Sequence, residues 1–351
     1  MNYRIVNITD SGKRSILIIY TGGTFGMVQD ESGTLTPFNF GKAVERIPVL
    51  RNLGLKLTVI SFPVPIDSSN IGVQDWKDMA YIIEENYAQY DGFVILHGTD
   101  TMAYSASILS FMLKGLDKPV IFTGAQMPIG SPRSDARENL IAALEIASLV
   151  RNKKPIVHEV CLYFNYTLLR GNRSQKIRSS TFAAFESENY PALAEVGIEI
   201  EFNESALKPP TKKSKLKVVS DLDPNIALLR VFPGMTPEVV KAIVNNSSIK
   251  GIVLESYGSG NTMNFDWFLN CLKDAIKEGK VILNVSQCMG GKVVQGKYET
   301  SKMLNDIGVF SGRDITTESA LAKMMFVLGT EKEKSKIGEL LTSSIAGEID
   351  E

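Results

Sequence analysis

Short apolar runs rich in β-branched residues recur along the first half of the chain, at Ser15–Tyr20, Leu57–Phe62, Phe93–His97, Pro119–Thr123 and Val160–Phe164. Runs of this length and character fit strands buried on both faces. Between them, apolar positions recur at helical spacing. The stretch Gln74–Tyr87 puts Trp76, Met79, Ala80, Ile83 and Tyr87 on one face, and Thr101–Leu113 and Ser134–Val150 follow the same period. Thr101–Leu113 has few polar positions and is expected to be buried. Strands alternating with helices predict an α/β fold, a mainly parallel sheet with helices on both faces.

The pattern breaks between Glu199 and Ser220, around Lys208-Pro209-Pro210-Thr211-Lys212-Lys213-Ser214-Lys215. A Pro- and Lys-rich stretch without periodicity reads as a linker. The larger N-terminal domain is accordingly expected over 1–201, the linker over 202–218 and a smaller C-terminal α/β domain, flavodoxin- or Rossmann-like, over 219–351. There the alternation resumes with strands at Ile226–Val231, Gly251–Glu255 and Lys280–Val285 and helices at Pro237–Asn245, Phe265–Lys277 and Glu318–Leu328.

Composition narrows the chemistry. Among 351 residues, 38 Lys and Arg face 39 Asp and Glu, a formal net charge of −1, which argues against a nucleic-acid-binding surface. The basic run at 208–215 lacks interleaved aromatic residues and reads as solvated linker rather than a nucleic-acid patch. Three widely spaced cysteines, Cys161, Cys271 and Cys288, with no CxxC pair, oppose both a disulfide framework and a zinc site. Two histidines, His97 and His158, cannot build a poly-His metal centre, and a Ser-His-Asp triad would have to use one of them. No metal and no cofactor is therefore expected, and a hydrolase built on this chain needs another base. The polar start Met1–Lys13 shows no secretory leader, and no stretch has the roughly twenty apolar residues of a membrane span. The expectation is a cytoplasmic protein with no membrane contact.

In open α/β sheets ligands sit beyond the carboxyl ends of the strands, so the residues after each run carry most weight. The first such segment is Tyr20-Thr21-Gly22-Gly23-Thr24-Phe25-Gly26-Met27. Its glycines let backbone approach a ligand and expose the Thr24 hydroxyl. It is neither GxxxxGK[ST] nor GxGxxG, which argues against a phosphate loop, and a tight turn without function is the plain alternative. The second is Leu96-His97-Gly98-Thr99-Asp100-Thr101-Met102, where Asp100 and Thr101 stand at a helix start, as site residues or simply as caps. His97, with no second histidine near it in sequence, reads as a hydrogen-bonded core residue. The third, Leu169-Arg170-Gly171-Asn172-Arg173-Ser174-Gln175-Lys176-Ile177-Arg178, is either a solvated basic turn or the carrier of a lysine for proton transfer beside a carboxylate.

These segments, with Thr123–Pro128 (TGAQMP), Arg133–Leu140 (RSDxxxNL), Tyr257–Asn261 (YGSGN) and Gln287–Val293 (QCMGGKV), resemble the bacterial-type L-asparaginases from about Ile16 to Leu328. The unbroken GGTFGM and HGTDTMAY are similar to the type I, cytoplasmic branch. The resemblance implies hydrolysis of L-asparagine, with L-glutamine as a weak second substrate, through an acyl-enzyme ester on a threonine, without metal. Carried over by position, Thr24 matches the nucleophile, and Thr99, Asp100 and Lys176 match the second hydroxyl, acid and base. Asp67, Ser68 and Ser69 match the segment gripping the amino-acid end of the substrate, Ala125 lines the pocket near the side-chain amide, and Asn261 matches a residue supplied across a subunit boundary. A homodimer or homotetramer is implied. With so little histidine, a lysine paired with Asp100 and Thr99 supplies the proton acceptor that acyl transfer requires.

Two departures alter the expectation. Thr34 stands where the family often has a loop tyrosine, so Tyr298, in Gly296–Thr300, is nominated as the partner of Thr24. Glu255 stands where type I members with an allosteric asparagine site carry an arginine. An anion at a carboxylate-binding position beside Cys288 predicts hyperbolic kinetics. The loop Gly26–Pro37 reads as a lid over substrate or as an ordinary hairpin. Two other readings compete. One is the ammonia-releasing subunit of a tRNA-dependent amidotransferase, disfavoured because that subunit carries an additional N-terminal domain and only about fifteen residues precede the first strand. The other is an amino-acid sensor without turnover, disfavoured by the intact Thr24, Thr99, Asp100 and Lys176.

Overall fold

The computed structural model describes residues 3–29, 35–37, 47–210, 215–296 and 299–350. They form two compact units, Met1–Val218 and Val219–Glu351.

The first unit is built on a nine-stranded sheet. Its strands are β1 (Arg4–Thr9), β2 (Arg14–Gly22), β3 (Leu55–Ile66), β4 (Gly92–Leu96), β5 (Val120–Thr123), β6 (Val160–Phe164), β7 (Thr167–Arg170), β8 (Ala194–Val196) and β9 (Ile200–Phe202). The order is β1-β3-β2-β4-β5-β6-β7-β8-β9. β3, β2, β4, β5 and β6 run parallel, and β1 and β7–β9 add antiparallel margins. Helices α1 (Val73–Asn86), α2 (Met102–Met112) and α3 (Ala136–Ser148) connect the parallel strands. The expected mainly parallel α/β architecture is the one observed. Ile16–Ile19 of β2, Phe93–Leu96 of β4 and Val120–Phe122 of β5 are wholly buried, as strands covered on both faces require. Nearly every residue of α2 is buried, whereas α1 turns Trp76, Met79, Ala80 and Ile83 inward.

The chain before the first expected strand forms β1, whose alternation of exposed and half-buried positions marks a sheet edge rather than a core strand. Within the segment read as linker, Phe202 closes β9, Ala206 is buried, and the Lys208 N–H donates to Glu159 Oε1 at 3.0 Å. These residues are anchored on the first unit by a buried ion pair, Arg170 Nε to Glu159 Oε2 at 2.6 Å, with Arg170 also donating to the Ala206 carbonyl at 2.9 Å.

The second unit has a parallel sheet of β10 (Ile226–Arg230), β11 (Gly251–Ser256), β12 (Val281–Ser286) and β13 (Phe310–Ser311), in that order. Helices α4 (Pro237–Val244), α5 (Asp266–Lys277), α6 (Glu299–Ile307), α7 (Thr317–Thr330) and α8 (Lys334–Thr342) accompany it. Its core gathers Leu229, Val240, Ile252, Leu254, Phe268, Leu272 and Ile282. No helix among the described residues is long and apolar enough to cross a membrane.

Candidate functional site

Because β2, β3, β4 and β5 are parallel, the turns that follow them open at one edge of the sheet. Glycines decide how close those turns come. At Gly22 (φ +137°) a Cβ would lie 2.2 Å from the Ile66 carbonyl oxygen at the end of β3. At Gly23 (φ +82°) it would lie 2.5 Å from both Cα and N of Gly98. A Cβ on Gly98 would in turn meet Ser68 Oγ at 2.5 Å. Positive φ and backbone-to-backbone contact both exclude other residues here. The Thr24 turn therefore rests main chain on main chain against Ile66 and Gly98, and the Asp67–Ser69 turn meets Gly98 through the small Ser68 side chain.

Hydrogen bonds hold that arrangement. Gly23 N–H donates to the Ile66 carbonyl at 3.2 Å, and Thr21 Oγ1 to the Leu96 carbonyl at 3.0 Å. Thr101 Oγ1 donates to the Ser68 carbonyl at 2.7 Å. Asp67 caps its own short turn by accepting from Ser69 N–H at 3.0 Å, and Ser68 is buried. Thr24 opens a single helical turn, Thr24–Gly26, and is half-buried.

The third basic segment is not a solvated turn. Arg170, Asn172, Arg173 and Ser174 are buried, and Gly171 packs against Ala106 of α2. The chain leaves that packing as a short hairpin, Gln175–Lys176 against Phe185–Glu186. The hairpin brings Lys176 Nζ to 2.8 Å from Thr99 Oγ1 and 2.6 Å from Asp100 Oδ1. The Lys176 side chain is 17% exposed and that of Asp100 69%, so one end of the pair is sheltered and the other faces solvent.

The turn after β5 completes the group. Ala125 is buried, and Gln126 Oε1 accepts from Thr99 Oγ1 at 3.2 Å. Gln126 Nε2 donates to the Thr181 carbonyl at 3.0 Å, so this side chain bridges Thr99 to the loop of the Lys176 hairpin. Asp135 accepts from the Gln126 and Met127 amides at 3.0–3.1 Å. Asn139, one turn further along α3, donates to the Gly124 carbonyl at 3.0 Å. Ile129 N–H reaches back to the Phe25 carbonyl at 3.3 Å. Gln126, Asp135 and Asn139 carry no assigned role in the sequence reading. The four-residue spacing of Asp135 and Asn139, one face of a helix, was the available signal.

His97 is a core residue, as expected. Its Nδ1 lies 2.7 Å from the Gly98 carbonyl and its Nε2 2.9 Å from Ser105 Oγ, which accepts from Trp76 Nε1–H at 2.9 Å. Burial drives its pKa down to about 4, so the ring is neutral.

Of the residues expected at the site, Thr24, Asp67, Ser68, Ser69, Thr99, Asp100, Ala125 and Lys176 all lie on these converging turns and the adjoining hairpin. Asn261 belongs to the second unit, where it pairs with Tyr257 in an isolated bridge. Tyr298 and, within the loop expected as a lid, residues 30–34 with Thr34 among them lie outside the described residues, while Met27–Gln29 and Leu35–Pro37 pair as antiparallel strands.

The fold and this cluster define an α/β protein of two units with a strand-end site made of hydroxyls, a lysine and carboxylates. Family models agree with that description. Residues 15–208 match the asparaginase N-terminal domain, and residues 225–341 match the glutaminase/asparaginase C-terminal domain. The chain belongs to the asparaginase family. It is 38% identical to L-asparaginase 1 of Escherichia coli K12, over 96% of this chain and 98% of that protein. It is 39% identical to the mouse 60 kDa lysophospholipase over 90% of this chain, and spans about three fifths (59%) of that relative's length. The crystal structure of L-asparaginase I from Vibrio cholerae superimposes with a TM-score of 0.87 at 37% identity, covering 97% of this chain and all of that one.

Proposed function

We propose that the chain is an L-asparaginase that hydrolyses L-asparagine to L-aspartate and ammonia, with L-glutamine a weak alternative, through an ester on Thr24 and without metal. The observation that carries this reading is the Lys176 ammonium group bonded to both Thr99 Oγ1 and Asp100 Oδ1 on the turn that touches the Thr24 turn. In the first half-reaction Thr24 Oγ1 bonds to the side-chain amide carbon, the C–N bond breaks, and ammonia leaves with the hydroxyl proton. In the second, water adds to the ester carbon, the bond to Thr24 breaks, and Thr24 regains a proton. Thr99, Lys176 and Asp100 relay those protons, a task histidine performs elsewhere.

An α-amino acid presents one cation and one anion. Asp100, whose carboxylate is open to solvent, and Asp67 suit the ammonium, while Ser68, Ser69 and their backbone suit the carboxylate. Ala125 borders the side-chain amide. Asn261 contributes from a second copy in a homodimer or homotetramer, Tyr298 hydrogen-bonds Thr24, and the protein works in the cytoplasm without nucleic-acid or membrane partners. The relatives named L-asparaginase support this reading.

Purified protein should release ammonia from asparagine, and Thr24→Ala should abolish release. Mass spectrometry of trapped enzyme should find the acyl group on Thr24. A label on another residue, or turnover by Thr24→Ala, would refute the mechanism. If Tyr298→Phe keeps full turnover, the role given to Tyr298 is withdrawn.

A further inference from the structure

We propose that His97 is a positioning residue that acts through the Gly98 carbonyl to set the spacing of the Thr24, Ser68 and Thr99 turns. The proposal rests on the reading of Thr24 and Thr99 as reacting groups. Gly98 is the point at which all three turns meet: Gly23 lies against its Cα and N, Ser68 fills the space a side chain would need, and Thr99 follows it in the chain. A carbonyl oxygen only accepts, so the His97 nitrogen 2.7 Å away carries the hydrogen. In the neutral ring Nε2 is then an acceptor, and it receives the Ser105 hydroxyl hydrogen at 2.9 Å. With that hydrogen turned toward His97, a lone pair of Ser105 Oγ accepts from Trp76 Nε1–H.

The chain Trp76–Ser105–His97–Gly98 thus has one consistent direction, starting on α1, crossing α2 and ending at the site. Both its histidine and its serine are buried, at 1% and 0% exposure, and Trp76 is at 9%. The ring is further wedged edge-on against Phe122 of β5, 5.7 Å between centroids. None of these groups reaches the reacting atoms. What they control is the position of one peptide, and a displacement near 1 Å at such a point is enough to cost about a hundredfold in rate.

The chain has two histidines, so their ring signals are assigned by a single His158→Gln substitution. Nitrogen-15 NMR at neutral pH should show His97 with its hydrogen on Nδ1, and an Nε2–H ring would overturn the proposal. In the ammonia assay His97→Leu should lower kcat by about tenfold or more with a smaller change in KM, because substrate contacts remain while the reacting groups drift. His97→Asn, whose amide can take the place of Nδ1, should recover most of that loss. Wild-type kcat in His97→Leu, or an Asn variant no better than Leu, would overturn the proposal.

Should His97→Leu fail to fold, the decision passes to His97→Asn and Ser105→Ala. The Asn variant should then keep kcat within a few-fold of wild type, and a larger fall would count against the clasp. Ser105→Ala should admit the Nε2–H form and reduce kcat a few-fold, and no change in either readout would refute the idea. Wild-type protein that releases no ammonia defeats the parent reading and this one with it. Active wild type with indifferent His97 variants defeats this one alone.

Discussion

Two lysine–carboxylate pairs in this chain have the same 2.6 Å separation and opposite surroundings. Lys176–Asp100 lies at the strand-end site, with side chains 17% and 69% exposed, whereas Lys323–Glu348 in the second unit is wholly buried. Lys323 Nζ also donates to the Leu341 and Ser343 carbonyls at 3.1 and 2.6 Å. Glu348 accepts from the Ile345 and Ala346 amides at 3.0 and 2.7 Å. The buried pair thereby stitches the end of the chain onto α7. Among the described residues Lys176 Nζ bonds a hydroxyl and a carboxylate whose side chain is open to solvent. Distance alone does not separate a solvent-open pair from a buried structural one. Access to solvent and the number of committed partners do.

The largest expected effect is on activity. Lys176→Met should cut kcat/KM by roughly a hundred- to ten-thousandfold, the range for a proton-transfer group, while thermal unfolding moves little. Lys323→Met should do the reverse, removing about 3–5 kcal/mol of stability in urea titrations by stranding a buried carboxylate, with activity per folded molecule unchanged. Replacing both partners, Lys323→Met with Glu348→Leu, should recover most of that loss, because no buried charge is left unpaired. Should the double variant be as unstable as the single, packing rather than charge explains the effect.

A smaller difference is expected with pH. Burial would raise the Glu348 pKa, but the Lys323 charge and hydrogen bond and the two amides outweigh it and hold the carboxyl below its ordinary value. A lowered folded value means the stabilisation is complete above the unfolded glutamate value, about 4.3, and lost as pH falls through the folded one. Melting temperature followed from pH 6 to pH 3 should therefore decline less steeply in the Lys323→Met/Glu348→Leu variant than in wild type. The smallest effect concerns Glu255, whose carboxylate meets Arg230 Nη1 at 3.0 Å and accepts from Thr317 Oγ1 at 2.8 Å. A carboxylate already so engaged is a poor host for a second anion, so asparagine saturation should be hyperbolic. A Hill coefficient well above one would contradict this.

The parallel strands and their helices were legible because Ile16–Tyr20, Phe93–Leu96 and Val160–Phe164 are β-branched or aromatic runs with no polar break. The antiparallel margins were not. Arg4–Thr9 alternates weakly, as an edge strand half in water does, and Thr167–Arg170 runs into a basic segment that looks solvated. Its Arg170 is buried because Glu159, just before the neighbouring strand β6, neutralises it, a pairing that exists only once the strands are side by side. At the site, the motif residues were visible as chemistry, but the direction taken by Lys176 depends on a hairpin that nothing in its own sequence specifies. The clamp on the Gly124–Met127 turn was half visible, in the helical spacing of Asp135 and Asn139.

The contacts at Gly22, Gly23 and Gly98 have a consequence for anyone redesigning substrate preference. Where main chain rests on main chain, the outline of the cleft is inherited from the sheet beneath and cannot be resculpted one methyl group at a time. Libraries that randomise these three positions should yield misfolded protein, whereas diversity at the exposed Ser69 keeps the Asp67 cap and the Gln126 bridge to the Lys176 hairpin in place.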